Sequence, residues 1–499
     1  MSVRQRTKRR KSLNLSGDTK WIPHQYQLSA IARGFRQNKL AYFLDPGLGK
    51  TTIILQLYKM LKQYGKAKGI LLIAPIRVME LVWPLEIQKW PNFRHIKINI
   101  MHGPKKKLDY DADINIINPA GLPWLKTQLH NVRVKKWPFD MMVVDESTMF
   151  KNYDSARFML LQNYFTKKMS RRYILTGTPI PNGYMQLFSQ FKIVDEGRSL
   201  GKNITDFRYH YFKPVGPPQY RQFKLRDGAD KKINKKIARY VCRMSAEEYL
   251  KLPPISINTI KVDMPKKAMK QYEKLRDEQF LQVGIKEIYP PTAASLGQKL
   301  HQIANGNLYE NWDVLEKGKV PSAAKRPYIK FHNAKIDALK ELQTELQGKP
   351  LFVAYWYHHD LITLQAAFPK AIIINSKTTS KQAAKIERDW NAGRIPMLIA
   401  QPASVAHGLN FQKAGGDVAW YSLVYDFELY DQFIKRLWRQ GAIDKVMVHF
   451  LMTRGTIDEA IFEKLMGKKV VQDDFYEVMR VYQRQLKKDM DYEQSNRAA

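Results

Sequence analysis

The stretch Leu44-Asp45-Pro46-Gly47-Leu48-Gly49-Lys50-Thr51 follows the apolar run Ala41 to Leu44 and leads into the helical pattern Thr52-Ile53-Ile54-Leu55-Gln56-Leu57. Strand, glycine-rich turn and helix in that order gather backbone N–H groups at a helix N-terminus, where they can hold phosphates. The generic phosphate-loop pattern also asks for glycine six residues before the lysine, where this chain has Leu44, and Gly-Lys-Thr alone is compatible with an ordinary turn carrying a solvated lysine. A second segment, Met141-Met142-Val143-Val144-Asp145-Glu146, ends another apolar run on two carboxylates. A magnesium nucleotide requires both kinds of group: an ammonium with an amide cradle for the phosphates, and an anion for the metal. The two segments together point to ATP hydrolysis.

Outward from these segments, short apolar runs at Ala41 to Leu44, Ile70 to Ala74, Ile114 to Ile117, Met141 to Val144 and Tyr173 to Leu175 alternate with longer helical stretches. That alternation reads as a parallel sheet covered by helices, with the chemical motifs where strands end. From Lys213 the character changes to Pro214-Val215-Gly216-Pro217-Pro218, a basic stretch, Leu252-Pro253-Pro254 and a charged helical pattern from Lys266 to Gln282. After His332 the alternation returns, with strand-like runs at Leu351 to Ala354, Ile372 to Ile374, Met397 to Ala400 and Val418 to Val424, and helical runs at Ile336 to Leu346 and Lys381 to Asn391. A second α/β lobe is expected there, followed by a helical tail from Phe475 to Met490.

The chain of 499 residues carries 83 Lys and Arg against 46 Asp and Glu, a formal net charge of +37. Self-repulsion of that size calls for a polyanionic partner, and nucleic acid is the obvious one. The excess is spread over several clusters, among them Arg4 to Lys11, Lys105 to Lys107, Lys167 to Arg172 and Lys224 to Arg239, which suits a long groove better than one patch. The first cluster, with Arg9 and Arg10, reads as an arm touching phosphates, although a nuclear-import signal has the same composition. One cysteine, Cys242, excludes an internal disulfide and a cysteine-based zinc site. No apolar run approaches the roughly 20 residues that span a bilayer, so an intracellular protein without membrane partners is expected.

Two lobes with a phosphate loop only in the first follow the plan of superfamily-two helicases, and the local motifs resemble the Swi/Snf group of double-stranded DNA translocases from about Trp21 to Met466. Asp45 to Thr51 is similar to that group's own phosphate loop, which accounts for the missing earlier glycine. Tyr26-Gln27-Leu28-Ser29-Ala30-Ile31 resembles its adenine-reading segment, with Gln27 as the amide for the base. Leu72-Ile73-Ala74-Pro75, with Trp83 and Trp90, resembles the motif that contacts the tracking strand. Asp145-Glu146-Ser147-Thr148-Met149-Phe150-Lys151-Asn152 keeps the acid pair and trailing Lys-Asn, and Leu175-Thr176-Gly177-Thr178-Pro179 resembles the lobe-coupling motif. Arg243, Leu252-Pro253-Pro254 and Lys299 to Asn305 are similar to segments between the lobes. Gly408-Leu409-Asn410-Phe411 resembles a motif contacting DNA and nucleotide together, and Gln432 to Gly441 the arginine-finger motif.

The resemblance implies two RecA-like lobes joined by a partly helical connector: a basic arm over 1–20, the first lobe over 21–213, the connector over 214–330, the second lobe over 331–466 and a helical tail over 467–499. It implies ATP and Mg2+ as cofactors, double-stranded DNA as partner and a monomeric motor in a bacterial or phage-infected cytoplasm, with protein partners unspecified. Lys50 would bridge the phosphates, Gly47 and Gly49 would let amides approach, and Gln27, Thr51, Thr52, Gly408 and Asn410 would complete the nucleotide site. Thr51 and Asp145 would hold magnesium and Glu146 would orient the attacking water. Arg436 and Arg439 would stabilise the developing charge, unless their i,i+3 spacing marks only a solvated face. Pro75, Lys151, Asn152, Thr176, Gly177 and Thr178, with Arg9 and Arg10, would contact nucleic acid.

Two other readings stay open: an RNA-dependent ATPase or strand-separating helicase of the same superfamily, and a DNA-binding scaffold with an ATPase-like fold but no turnover. A motor subunit of a defence assembly whose nuclease is another chain is a third. Ser147 and Thr148 stand where Ala-His is common in the group, and Ala442 where glutamine is frequent, so the route from nucleotide to lobe coupling is left undefined.

Overall fold

A computed structural model describes residues 20–131, 137–217, 221–250, 252–284, 286–290, 292–310, 326–405, 408–442 and 445–471. The expected arm with Arg9 and Arg10, and the expected tail helix from Phe475 to Met490, lie outside these residues.

Seven parallel strands form the first sheet, in the order Ile98–Ile100, Ile114–Ile117, Ile70–Ile73, Met141–Asp145, Arg171–Thr176, Lys39–Leu44, Val241–Met244. Alternate residues of one strand feed opposite faces. Leu40, Tyr42 and Leu44 join the core beneath the helices Gln25–Arg36 and Lys50–Gln63, while Ala41 and Phe43 pack on the other side with Phe150, Phe188 and Phe191. Register then fixes where the motifs emerge. Phe43 lies beside Thr176 and Asp145 beside Leu175, so the loop after Leu44, the acid pair and the turn after Thr176 leave the sheet side by side at its C-terminal edge. Ligands bind at this edge in open α/β sheets.

The second sheet has six parallel strands, in the order Ile255–Val262, Val446–Thr453, Asp417–Trp420, Leu351–Ala354, Met397–Ala400, Ile372–Ile374. Phe352 and Ala354 face a core with Trp390, Trp420 and Phe433, and Leu351 and Val353 face Leu339, Leu361 and Leu364. The molecule thus consists of two RecA-like lobes, each a parallel sheet covered by helices.

The stretch expected as a connector is divided between them. Val241–Met244 closes one edge of the first sheet and Ile255–Val262 one edge of the second, so the chain crosses between sheets within residues 245–254. The helices Lys266–Glu278 and Ala293–Ala304 share a core of Tyr272, Leu275, Leu300, Ile303 and Leu308. That unit is fastened to the second lobe by Lys335 Nζ, which sits 2.7 Å from both Asp458 Oδ2 and Asn305 Oδ1, all buried.

Candidate functional site

Both lobes contribute to one cleft of about 600 Å³. From the first lobe it receives Gln27, Gly47, Gly49, Lys50, Thr51 and Thr52, together with Asp145 and Glu146. From the second come Gly408, Asn410, Arg436 and Arg439. Every residue expected to handle nucleotide or metal therefore lines the same space.

The phosphate-loop segment is shaped by backbone that only glycine adopts freely. Gly47 has φ +92° and Gly49 has φ +76°, the latter capping the helix Lys50–Gln63. A Cβ on Gly49 would come within 2.5 Å of Gln27 Nε2 and 2.8 Å of Thr52 Oγ1, so the loop wraps closely around both side chains. Gln27 accepts from the His24 N–H at 2.9 Å and donates to Leu48 O at 3.1 Å; Thr52 donates to Gly49 O at 2.9 Å. Lys50 Nζ donates to Leu44 O at 2.9 Å, and burial holds this ammonium below its usual range against the pull of Glu146 and Asp145.

Asp45 ties the loop to its surroundings. It accepts from the Ala246 N–H at 3.0 Å, pairs with Arg243 at 3.1 Å and lies 3.6 Å from Lys435 of the second lobe. Burial alone would raise its pKa, yet Arg243 and Lys435 bring it well below the ordinary carboxylate range.

The acid pair ends the strand Met141–Asp145. Asp145 Oδ2 accepts from the Trp83 indole at 3.0 Å and Oδ1 from the Glu146 N–H at 3.1 Å. Burial, reinforced by Glu146 next door, pushes Asp145 up to about 6. Glu146 itself sits at φ 54°, ψ 62°, a left-handed conformation that costs a non-glycine residue about 1–2 kcal/mol. Trp83, expected beside the tracking strand, is instead fully buried behind the acid pair, because its indole N–H needs an acceptor once the ring is in the core.

On the opposite wall, Arg436 donates to Leu409 O at 3.3 Å, and Arg439 donates to Asn410 Oδ1. These arginines are not a solvated face: Arg436 is buried, and a Cβ on Gly47 would lie 4.0 Å from Arg439 Nη2. Burial lowers Arg439 to about 10, with Arg436 adding to the effect. Glu387 stands behind this wall. It accepts from the Asn410 N–H at 3.0 Å, and burial pushes it up to about 7 despite that bond and Arg439. Glu387 was not legible as a site residue, since it is one polar group on a helix with no motif around it, and Trp83 was read only as part of the tracking-strand motif, not as the partner of Asp145.

The residues expected to contact nucleic acid divide. Asn152 is exposed and Pro75 is partly exposed. Lys151 is turned inward, 3.1 Å from Glu428 and 3.7 Å from Asp426 of the second lobe. Thr176, Gly177 and Thr178 are buried under the phosphate loop, where a Cβ on Gly177 would meet Pro46 Cδ at 3.0 Å. In this structure the three abut the nucleotide loop, because the strand delivers Thr176 beside Phe43.

Two RecA-like lobes facing each other across one cleft define the class of this protein. Residues 37–309 match the SNF2-related domain, and the chain belongs to the SNF2-related family of ATPase cores. It is similar to protein p41 of Acyrthosiphon pisum secondary endosymbiont phage 1, at 32% identity over 92% of this chain and 99% of p41. It is also similar to the DNA repair and recombination protein RAD54-like of Gallus gallus, at 20% identity over 86% of this chain and 62% of that protein. An ATP-dependent helicase of Mycoplasma genitalium is 26% identical over 90% of this chain and 42% of its own length. The chain thus spans nearly all of p41 but about three fifths or less of the other two. Among solved structures, the Sulfolobus solfataricus SWI2/SNF2 ATPase core in complex with dsDNA aligns at 20% identity and TM-score 0.41, covering 94% of this chain and 97% of that one.

Proposed function

We propose that this protein is a DNA-dependent ATPase that turns ATP hydrolysis into movement along double-stranded DNA. One observation carries the reading: Lys50, Asp145 and Glu146 on one wall of a cleft face Arg436 and Arg439 on the other. Three cations held in low-dielectric surroundings, with Lys50 and Arg439 shifted by burial, suit a polyphosphate substrate far better than water. The left-handed Gly47 and Gly49 leave their amides free to approach phosphate oxygens.

Magnesium fits the donor set, since it prefers one or two protein oxygens plus phosphates, and no cluster of three or more His, Cys, Asp or Glu suited to a metal occurs among the described residues. Thr51 and Asp145 would hold it, and when bound it supplies neutralisation of phosphate charge. Lys50 binds the β- and γ-phosphates in this reading, and Glu146 orients and deprotonates the attacking water. Arg436 and Arg439 stabilise charge as it develops, and only with the lobes closed. Opening and closing of the cleft then advances the protein along the duplex. A single chain supplies both walls, which supports a monomeric motor.

The net charge of +37 supports a nucleic-acid track. No helix among the described residues is long and apolar enough to cross a membrane. The likeness to a phage protein supports a bacterial or phage-infected cytoplasm as the setting.

The decisive experiment measures ATP turnover with duplex DNA, single-stranded DNA, RNA or no nucleic acid. Stimulation by duplex DNA is expected; stimulation by RNA alone would remove the DNA reading. Lys50→Ala is expected to abolish turnover while sparing DNA binding. ATP-dependent release of a triplex-forming strand from duplex DNA would then separate movement from turnover alone.

A further inference from the structure

Away from the cleft, the first lobe carries a small basic unit. The antiparallel hairpin of Phe212–Val215 and Gln222–Leu225 is followed by the helix Ala229–Ile237. Phe223 and Leu225 from the hairpin, and Ala229, Ile233 and Ile237 from the helix, pack into the core on the Phe43 face of the sheet, opposite the face that carries the helix Lys50–Gln63. The outward side of the helix is cationic. Lys231, Lys232, Lys235 and Lys236 are all exposed, at the spacing that places them on one side of the helix.

The hairpin supplies a second, independent observation. Its register sets Lys213 directly opposite Lys224, both exposed. Like charges in direct cross-strand register are destabilising, and Asp227 and Asp230 are the acids nearby in sequence. None of these six lysines forms an ion pair among the described residues, whose salt bridges lie elsewhere. A fold that needed this unit only as a brace gains nothing from opposing two ammonium groups.

The unit also has a defined place. Arg208 at its base lies over the Phe223 ring at 4.3 Å and over the Tyr153 ring at 5.3 Å, and donates to Tyr153 OH at 3.2 Å. Tyr153 follows the exposed Asn152, so Arg208 ties the inward side of the hairpin to the segment after the acid pair.

We propose that this hairpin and helix form a second seat for duplex DNA, gripping the phosphate backbone through Lys213, Lys224 and the four helix lysines. The inference rests on the DNA reading above and deepens it. The seat is independent of nucleotide and of base sequence, because it consists of flexible ammonium groups on one rigid lobe. Its function is to keep the duplex attached while the cleft between the lobes opens. An acidic protein surface is the competing occupant.

The test uses the full chain with Lys213, Lys224, Lys231, Lys232, Lys235 and Lys236 changed to Gln, beside the same positions changed to Arg. Binding of a labelled duplex is followed over a salt series, together with ATP turnover. The Gln variant is expected to bind at least about tenfold more weakly, with the slope of log affinity against log salt shallower by about 0.9 for each phosphate that is no longer neutralised. Its turnover without DNA, and its maximal turnover at saturating DNA, are expected to match the parent, and the Arg variant to restore affinity. Parental affinity and slope in the Gln variant would overturn the second seat and leave the surface to an acidic protein. Absence of duplex binding by the parent would instead overturn the underlying DNA reading.

Discussion

The hydroxyl of Thr148 donates to Glu428 Oε1 across the boundary between the lobes, and Lys151 Nζ holds the other oxygen of the same carboxylate at 3.1 Å. Thr148 lies three residues beyond Asp145, while Glu428 sits in the first turn of the helix Phe427–Ile434 that leads to the two arginines. Gln432 Nε2 donates to Glu428 Oε1 at 3.3 Å. The acid pair and the arginine segment are therefore joined by one buried carboxylate. Burial raises its pKa, and Lys151 and Thr148 oppose that rise.

Changing Glu428 to Ala removes the acceptor of the Thr148 hydroxyl and the nearer of the two carboxylates beside Lys151, a loss of about 1–3 kcal/mol. If the carboxylate transmits nucleotide state between lobes, kcat falls about tenfold or more and nucleotide affinity changes little. Steady-state turnover with a separate nucleotide-binding titration checks this. A cycle combining Thr148→Val with Glu428→Gln is expected to show coupling of about 0.5–3 kcal/mol.

Much of this was legible in sequence, for identifiable reasons. The strands Ile114–Ile117, Leu351–Ala354 and Met397–Ala400 coincide with the apolar runs read as strands, because fully buried parallel strands have no polar face to blur their ends, and the edge strand Ile372–Ile374 coincides as a run of three isoleucines. Val446–Thr453 went unread, since a continuous apolar run does not by itself distinguish a buried strand from a buried helix. Ile255–Val262 was hidden inside a charged connector because it is a half-exposed edge strand. The glycine loop, the acid pair and the arginines were found through local spacing. Glu428 and Glu387 were not, nor was the bond from Trp83 to Asp145, since these partners lie far apart in sequence and only the tertiary fold brings them together.

Gly49→Ala tests the shape of the loop. The residue sits at φ +76°, which costs alanine about 1–2 kcal/mol, and its Cβ would collide with Gln27 Nε2 at 2.5 Å. Relief of that contact moves Gln27 away from Leu48 O. Nucleotide affinity is expected to fall at least about tenfold, measured by titration with a fluorescent ATP analogue. Duplex binding without nucleotide is expected to stay within about twofold.

Asp145 links function to pH. Its pKa of about 6, raised by burial and by Glu146, exceeds the roughly 3.9 of the unfolded chain, so the native state binds this proton more tightly than the unfolded state does. Stability of the nucleotide-free protein is therefore expected to fall as pH rises from about 4 to about 6, and to stay lower above that window. Asp145→Asn removes the charge and is expected to be more stable than the parent at pH 7 by on the order of 1–3 kcal/mol, with the difference vanishing below about pH 4. Thermal melts across pH check the sign. Turnover moves the other way: it is expected to fall in acid, at a pH below about 6 because a cation held by this carboxylate would compete with the proton, and Asp145→Asn is expected to be inactive.

Arg439 separates a charge-stabilising role from simple attraction of substrate. It reaches toward Gly47 from the second lobe and is aimed by Asn410, whose N–H is held in turn by Glu387. A group that acts mainly on charge developing during transfer contributes to kcat more than to substrate affinity. Arg439→Ala is expected to lower kcat by about 10³-fold, within the range for arginines acting on phosphoryl transfer, while nucleotide affinity falls less than about tenfold. Arg439→Lys is not expected to rescue it, because a flexible ammonium cannot reproduce the planar fork held by Asn410. Comparable losses in kcat and affinity would instead assign Arg439 to ground-state binding, and the second lobe would then contribute to capture of the nucleotide without contributing to its hydrolysis.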